Sequence, residues 1–479
     1  MKICVLQPDY STTGVDYKHY DPPRALSTLL PGHTVDHVFL NKLTTYKQLL
    51  ALSKQGYDCF VNLCEGYLEW EVPSIDVIHS LELLNLPYTG PTSVLYDPPK
   101  ELMKYVAYTE GVKTPVYALL NSSSDIQKET ALIPYPIFIK PSKAGDSLGI
   151  DEGSRVCNEE ELLRKCDQLL NEFPELIAEE YIDGREFTVL VAADPKEEKN
   201  PKVYPPVEYI FPEGKTFKTY SLKTSELHPG ANVVVTDQHI IDALAHAARQ
   251  IFNCFGGTGY ARMDFRMDAG GDIYFLEINF TCSVFYTDGY EGSADYILKA
   301  DEHGTAGFLM QIIQEGIARH QRKQKKYRMK GNAISGYGIY ASVPIQRGEI
   351  IFRGEEKPHR LITKNFMEQH WNERDKKLFS QYALPVSPEI YIIWDEDPTI
   401  WAPQNHSCRP NTIYDGLNVI SLRDIEEGEE LTLDYSHLLD EHAEPFDCHC
   451  GTSQCKKKIT GTAENSFTSK EILRRRLRH

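Results

Sequence analysis

The chain of 479 residues has no apolar run approaching eighteen residues, so no transmembrane helix is expected. Its opening, Met1-Lys2-Ile3-Cys4-Val5-Leu6, is too short and too soon interrupted for a secretory leader. Positive charge is also scarce: 51 Lys and Arg against 69 Asp and Glu give a net charge of -18, which argues against nucleic acid as the main partner. No internal repeat is visible, so a solenoid has no support. Disulfide spacing is missing too. Of 11 cysteines, seven (4, 59, 64, 157, 166, 254 and 282) are scattered, which fits a reducing compartment. A cytoplasmic location is expected, without excluding the nucleus, and no membrane partner. What remains, 41% hydrophobic and 25% charged residues, is ordinary globular material, and the length suggests about three domains.

The other four cysteines do form a pattern. Cys448, Cys450 and Cys455 follow C-x-C-x4-C, too short for two disulfides but suited to three thiolates converging on one tetrahedral zinc ion, with Cys408 free to be the fourth. Such a site is closed and therefore structural. Cys408 lies in Asn405-His406-Ser407-Cys408-Arg409-Pro410-Asn411, and a further segment runs Glu429-Glu430-Leu431-Thr432-Leu433-Asp434-Tyr435.

Together with Gly336-Tyr337-Gly338-Ile339-Tyr340-Ala341, these segments resemble the SET domain with its post-SET zinc loop, over roughly residues 326 to 470. The resemblance implies that Asn405, His406 and the Gly336 to Gly338 backbone, hence Tyr337 and Gly338, bind S-adenosylmethionine. It implies that Tyr435 lines the channel where a substrate amine meets the methyl group. Methyl transfer to an amine is an in-line displacement, so the protein must mainly align a neutral amine with the methyl group and exclude water. One departure stands out: Lys456-Lys457 follow Cys455 where the family usually has Arg-Gly, a change expected to alter the loop and not the zinc shell.

Earlier in the chain, residues 2 to 6 and 58 to 63 read as buried strands, with a helix from Ser74 to Leu84, and Lys100 to Glu110 reads as a helix ending at Gly111. The opening is an open α/β pattern; from there to Asn279 the pattern is α+β. A hairpin signature runs from Ala261 to Met267, turns at Asp268 to Asp272, and returns from Ile273 to Phe280. Strict alternation puts Arg262 with Asp264, and Glu277 with Asn279, on one face, and Met263, Phe265, Leu276, Ile278 and Phe280 on the buried one. Three hard oxygen ligands, Asp264, Glu277 and Asn279, thus converge with one cation, a set suited to magnesium shared with phosphate oxygens. Upstream, Lys140 ends a strand, and Ala144 to Gly149 is a small loop able to close over phosphates.

These segments resemble the ATP-grasp fold, most closely the D-alanine:D-alanine ligase branch, over about residues 1 to 318. The resemblance implies that Lys100, Lys140 and Lys223 hold ATP phosphates under the loop carrying Gly145 and Ser147. It implies that Glu179 with the Tyr181-Ile182 backbone reads adenine, that Glu186 binds ribose, and that Asp264, Glu277 and Asn279 bind magnesium, two ions by analogy. It implies, too, that Arg262 stabilises the oxyanion as an amine attacks an acyl phosphate. Substrate recognition departs from the branch. Gln7 to Gly14 offers no clear counterpart of its N-terminal glutamate, and Asp146 and Thr224 stand where it has a serine and a tyrosine. Asp146 and Ser283 are the candidate substrate contacts.

The expected fold is an α/β domain (1–98), an ATP-grasp domain (99–318), a basic linker (319–330) and a mainly β SET domain with its zinc loop (331–479). The expected function is a carboxylate-amine ligase fused to a methyltransferase. A methyltransferase with a recognition module, or a ligase with a SET appendage, are the alternatives. The expected partners are a small amino acid or peptide and a lysine-bearing protein tail, and the branch suggests a homodimer.

Overall fold

The structure is a computed structural model that describes residues 1–14, 21–66, 71–124, 126–143, 148–219, 230–356, 359–394 and 404–462. The chain divides into two compact units, Met1–Lys323 and Gln324–His479.

The first unit opens with a parallel sheet in which β1 (Lys2–Pro8) lies between β2 (Thr34–Leu40) and β3 (Cys59–Asn62). The continuous apolar run of β1 follows from burial on both faces. Ile3 and Val5 pack with Phe308, Leu309 and Ile312 of the helix Gly304–Lys323. Cys4 and Leu6 face the other way, onto Leu49 of the helix Thr45–Leu52 and Val77, Ile78 and Leu81 of the helix Ile75–Leu83. β2 was not anticipated: Asp36 and His37 break its apolar sequence, and it is a sheet edge whose residues are mostly half-buried.

Two antiparallel sheets follow. β4 (Tyr117–Leu120), β5 (Ile137–Pro141), β6 (Arg155–Val156) and β7 (Leu176–Glu180) assemble in the order β4-β7-β5-β6. Their core is closed by Leu162, Cys166 and Leu169, spaced by four and three residues along the helix Glu159–Leu170, which Asn158 caps through its side chain. The other sheet runs β11-β10-β8-β12-β13, from β8 (Arg185–Ala192), β10 (Val207–Tyr209), β11 (Asn232–Val234), β12 (Tyr260–Met267) and β13 (Ile273–Asn279), with β9 (Lys202–Val203) beside β8. Its buried face, including Phe187, Val189, Met263 and Phe265, packs on the helix Gln238–Cys254.

The hairpin corrects one expectation. Asp264 pairs with Glu277, but Phe265 pairs with Phe275, so Leu276 is bulged out of register. A bulge reverses the alternation beyond it. Phe275 therefore takes the core position, fully buried, and Leu276, read as core, lines the cleft on the opposite face.

The stretch read as a linker from 319 also differs. Arg319 to Lys323 complete a helix. Arg319 is buried because its guanidinium satisfies the carbonyls of Gly90 (2.9 Å) and Tyr88 (2.7 Å) and stacks on the Tyr88 ring.

The second unit is mainly β, as expected. β14 (Tyr327–Asn332) and β15 (Gly336–Ala341) form a hairpin, and Ile339, Ala341, Ile351, Ile425 and Leu431 share a small core. A segment with two helices, Lys364–His370 and Glu373–Tyr382, has its own cluster around Phe379 and Tyr391. Near the end, Asn405–His406 run parallel to Thr432–Leu433, which brings two of the sequence motifs side by side.

Candidate active sites

In the first unit the two antiparallel sheets face each other across a cleft of about 980 Å³, counting its solvent-open part. One wall carries Lys140 from β5 and Glu179, Tyr181 and Ile182 from the end of β7; the other carries Glu186 from β8, Arg262 and Asp264 from β12, and Leu276 and Glu277 from β13. Lys100 enters at the start of its helix. The structure therefore brings most of the sequence-nominated residues into one cavity. Gly145, Asp146, Ser147, Lys223 and Thr224 lie outside the described residues.

Charge is arranged in pairs. Glu179, buried, is held by Lys104 at 2.8 Å and by Lys140. Burial works against its charge, but the two ammonium groups outweigh it and hold the carboxyl at about 2. Glu186 shows the same balance: burial opposes ionisation, and Lys218 (2.9 Å) with Arg266 (3.0 Å) hold it at about 2. Lys100 meets Glu277 at 3.2 Å, Arg262 meets Asp264 at 3.2 Å, and Thr188 Oγ1 donates to Asp264 at 2.8 Å. Asn279 donates to Glu277 at 3.4 Å. Asp264, Glu277 and Asn279 are hard oxygen donors, and the first two face each other across the hairpin, which suits a magnesium ion.

At the end of β7 the backbone is partly spent. Tyr181 N–H goes to Pro136 O (2.9 Å), and Ile182 O accepts from Arg266 (2.7 Å). The Tyr181 carbonyl and the Ile182 N–H take no hydrogen bond among the described residues, and so offer an acceptor and a donor side by side.

Ser283 lies apart from this cleft lining. Its hydroxyl donates to Glu65, whose carboxylate stands 3.6 Å from the buried Arg24. Arg24 also binds Asp21 at 2.9 Å, and Tyr286 donates to Asp21 at 2.7 Å. Sequence reading did not find Glu65, Asp21 or Arg24, which come together only through the fold. Two omissions were legible: Lys104 lies four residues after Lys100 on one helix face, and Arg266 lies two after Asp264 on one strand face.

In the second unit the four cysteine sulfurs all lie within 4.8 Å of one another, with Cys408 and Cys448 Sγ 3.8 Å apart. Four thiolates at about 2.3 Å from a central ion give such spacings, so the set fits zinc. His406 bridges it to the second motif. Its Nδ1 accepts from Tyr435 N–H (3.0 Å), so the neutral ring carries its proton on Nε2, 3.3 Å from Cys408 Sγ. Burial lowers the His406 pKa, which favours that neutral ring. The departure at 456–457 reaches further than expected. Lys456 N–H donates to Cys408 Sγ at 3.3 Å, Lys456 Nζ pairs with Asp434 at 3.2 Å, and Lys457 adopts a φ of +67°.

Tyr435 donates its hydroxyl proton to Gln404 O. Burial, then the neighbouring Tyr414, Tyr337 and Tyr382, push its pKa far up, so it acts as a neutral phenol and not as a base. Asn405 Nδ2 donates to Tyr337 O at 2.6 Å and to Glu430 at 2.8 Å. Both partners accept only, which fixes the amide: its oxygen is the side left for a ligand.

The first unit has the fold of the ATP-grasp D-Ala ligases, and a SET domain follows it. The family model described as D-ala D-ala ligase C-terminus matches residues 109–285, and the SET domain model matches residues 336–436. D-alanine--D-alanine ligase B of Chromobacterium violaceum is 28% identical over 237 residues, covering 49% of this chain and 73% of that protein. The Clostridium tetani enzyme of the same name is 32% identical over 229 residues, covering 44% and 61%. Among solved structures, the VanG D-Ala:D-Ser ligase from Enterococcus faecalis superposes with a TM-score of 0.50 at 18% identity, covering 66% of this chain and 99% of that one. No helix among the described residues is long and apolar enough to cross a membrane.

Proposed function

We propose that the chain is a bifunctional enzyme, an ATP-dependent carboxylate-amine ligase joined to an S-adenosylmethionine-dependent N-methyltransferase. The observation that carries the ligase half is the cleft in which Arg262, Asp264 and Glu277 on one sheet face Lys140 and Glu179 on the other. Lys100 and Lys140, with Lys223, hold the ATP phosphates. The Tyr181 carbonyl and Ile182 N–H meet the adenine edge, and Glu186 takes the ribose. Asp264, Glu277 and Asn279 hold magnesium, which supplies neutralising charge to the phosphates. ATP phosphorylates a substrate carboxylate; an amine attacks the acyl phosphate; phosphate leaves, ADP is released and an amide forms. Arg262 faces the negative charge that develops on the acyl oxygen, a preorganised electrostatic contribution. Substrate is an amino acid or short peptide, with Ser283 as a contact.

In the second unit S-adenosylmethionine supplies the methyl group. Tyr435 orients the incoming amine as a neutral hydroxyl, and Asn405 offers its acceptor oxygen to a donor on the cofactor. A lysine amine, as on a protein tail, is the acceptor that the family likeness favours.

The deciding experiment measures ADP and phosphate release with magnesium-ATP against a panel of D- and L-amino acids and dipeptides, with Arg262→Ala as the blank. Turnover with wild type and not with the variant is expected. ATP binding without turnover on any amino compound sinks the ligase reading.

A further inference from the structure

The group that fixes Asn405 is Glu430, a residue that lies in the Tyr435 segment and to which the methyltransferase reading gave no role. Glu430 stands opposite Tyr340 in an antiparallel bridge. A single oxygen of its carboxylate, Oε1, accepts from Asn405 Nδ2 at 2.8 Å and from Asn332 Nδ2 at 3.0 Å. That oxygen also lies against the backbone of β15: a Cβ built on Gly338 would stand 2.2 Å from it. Gly338 is not in the left-handed region, so glycine is needed there for room and not for backbone freedom. Three residues, Asn332, Gly338 and Asn405, thus converge on one carboxylate oxygen of Glu430.

The consequence falls on the amide. A free asparagine side chain rotates easily about its terminal torsion and presents either its oxygen or its amino group. Here one N–H is tied to Tyr337 O and the other to Glu430. Without the carboxylate one of the two ties is gone, and the oxygen is no longer held toward a ligand.

We propose that Glu430 is a positioning residue for the cofactor pocket: it locks the Asn405 carboxamide with both N–H groups turned inward, so that only an acceptor faces the ligand. This rests on the methyltransferase reading above. Orientation and not charge is the operative property, because the carbonyl oxygen of a glutamine accepts the same two hydrogen bonds. Gly338 belongs to the same device, since any side chain there displaces the carboxylate.

The test is calorimetric binding of S-adenosylmethionine to the full zinc-loaded chain. Glu430→Ala is expected to weaken binding by about tenfold, the scale of losing one hydrogen bond from the Asn405 amide oxygen, with zinc content unchanged. Gly338→Ala is expected to do the same. Glu430→Gln is expected to stay within about threefold of wild type, a rescue that marks orientation. Two results overturn the proposal while leaving the methyltransferase intact: Glu430→Ala binding like wild type, or Glu430→Gln as weak as Glu430→Ala. Zinc loss in Glu430→Ala overturns it in favour of a purely structural tie. Wild type that binds no S-adenosylmethionine removes the methyltransferase reading and this proposal together.

Discussion

The two sites handle charge in opposite ways. The cleft of the first unit is built from buried acids already matched by cations, Glu179 by Lys104 and Lys140, and Glu186 by Lys218 and Arg266. Around Tyr435 and Asn405 the contacts are phenols, backbone carbonyls, one imidazole and one acid, Glu430, whose carboxylate meets amide donors and no matching cation among the described residues. The difference suits the ligands proposed for the two sites. A nucleotide brings several negative charges, which fixed ammonium and guanidinium groups must meet without reorganising. A sulfonium donor is itself cationic, so a pocket for it needs acceptors and an uncharged amine, and extra fixed cations would oppose it.

If the second site is held by its zinc group and not by charge, removing the ion gives the largest effect. Structural zinc contributes on the order of 10 kcal/mol to small metal-bound folds. His406 links Cys408 to the Tyr435 backbone, so chelation of the full chain is expected to abolish S-adenosylmethionine binding while magnesium-independent nucleotide binding persists. Titrating both ligands into one chelated sample checks this. Surviving S-adenosylmethionine binding would break the comparison.

The bulged hairpin gives the next effect. Phe275→Ala removes a fully buried ring and is expected to cost about 3–5 kcal/mol in denaturant unfolding. Leu276→Ala, one residue along but facing the cleft, is expected to cost well under that and to weaken ATP binding instead. Equal stability losses would contradict the bulge. Arg262→Ala is then expected to lower ligase turnover by about a hundredfold, close to 3 kcal/mol, with little change in ATP affinity.

Acid titration separates regions within the first unit. Glu179 and Glu186 are held at about 2 against an ordinary 4.5, so their contribution is complete above about pH 4.5 and is lost as pH falls toward 2. Asp295 is the reverse: burial raises it from 3.8 to about 6, so its contribution is complete below about pH 3.8 and is lost as pH rises through 6. It accepts from Phe285 N–H at 2.7 Å. Hydrogen exchange, corrected for intrinsic rates, should show β7 and β8 losing protection between pH 4.5 and 2, while Phe285 gains protection from pH 6 downward. The same sign in both places would remove the cation-matching argument.

Much of this was legible in the chain because it is local. The hairpin, each of the strands at residues 2 to 6 and 58 to 63, the helix from Lys100 and the spacing of the last three cysteines all declare themselves within about twenty residues. What was hidden depends on register or on distance. Leu276 was misplaced because alternation carries no mark of a bulge. Arg319 reads as solvated cation until the Tyr88 and Gly90 carbonyls are found beside it, more than two hundred residues away in sequence. Glu65, Arg24 and Asp21 have no motif at all, yet they meet Ser283 and Tyr286 in a single polar cluster.

The smallest effect is the sharpest check on the second site. Lys457 holds a φ of +67°, where its Cβ crowds the following carbonyl and where the family likeness places glycine. Its carbonyl accepts from Cys448 N–H at 2.7 Å, so the strained residue lies one hydrogen bond from the zinc group. Relief of about 1–2 kcal/mol of left-handed strain is partly offset by the greater freedom of glycine in the unfolded chain. Lys457→Gly is therefore expected to stabilise the zinc-bound second unit by about 0.5–1 kcal/mol, read as a higher urea midpoint at fixed zinc. Lys456→Ala, which removes the pair with Asp434 but no strain, is expected to shift that midpoint slightly downward. A destabilising Lys457→Gly would mean that the lysine side chain, and not the left-handed backbone, is what the loop requires.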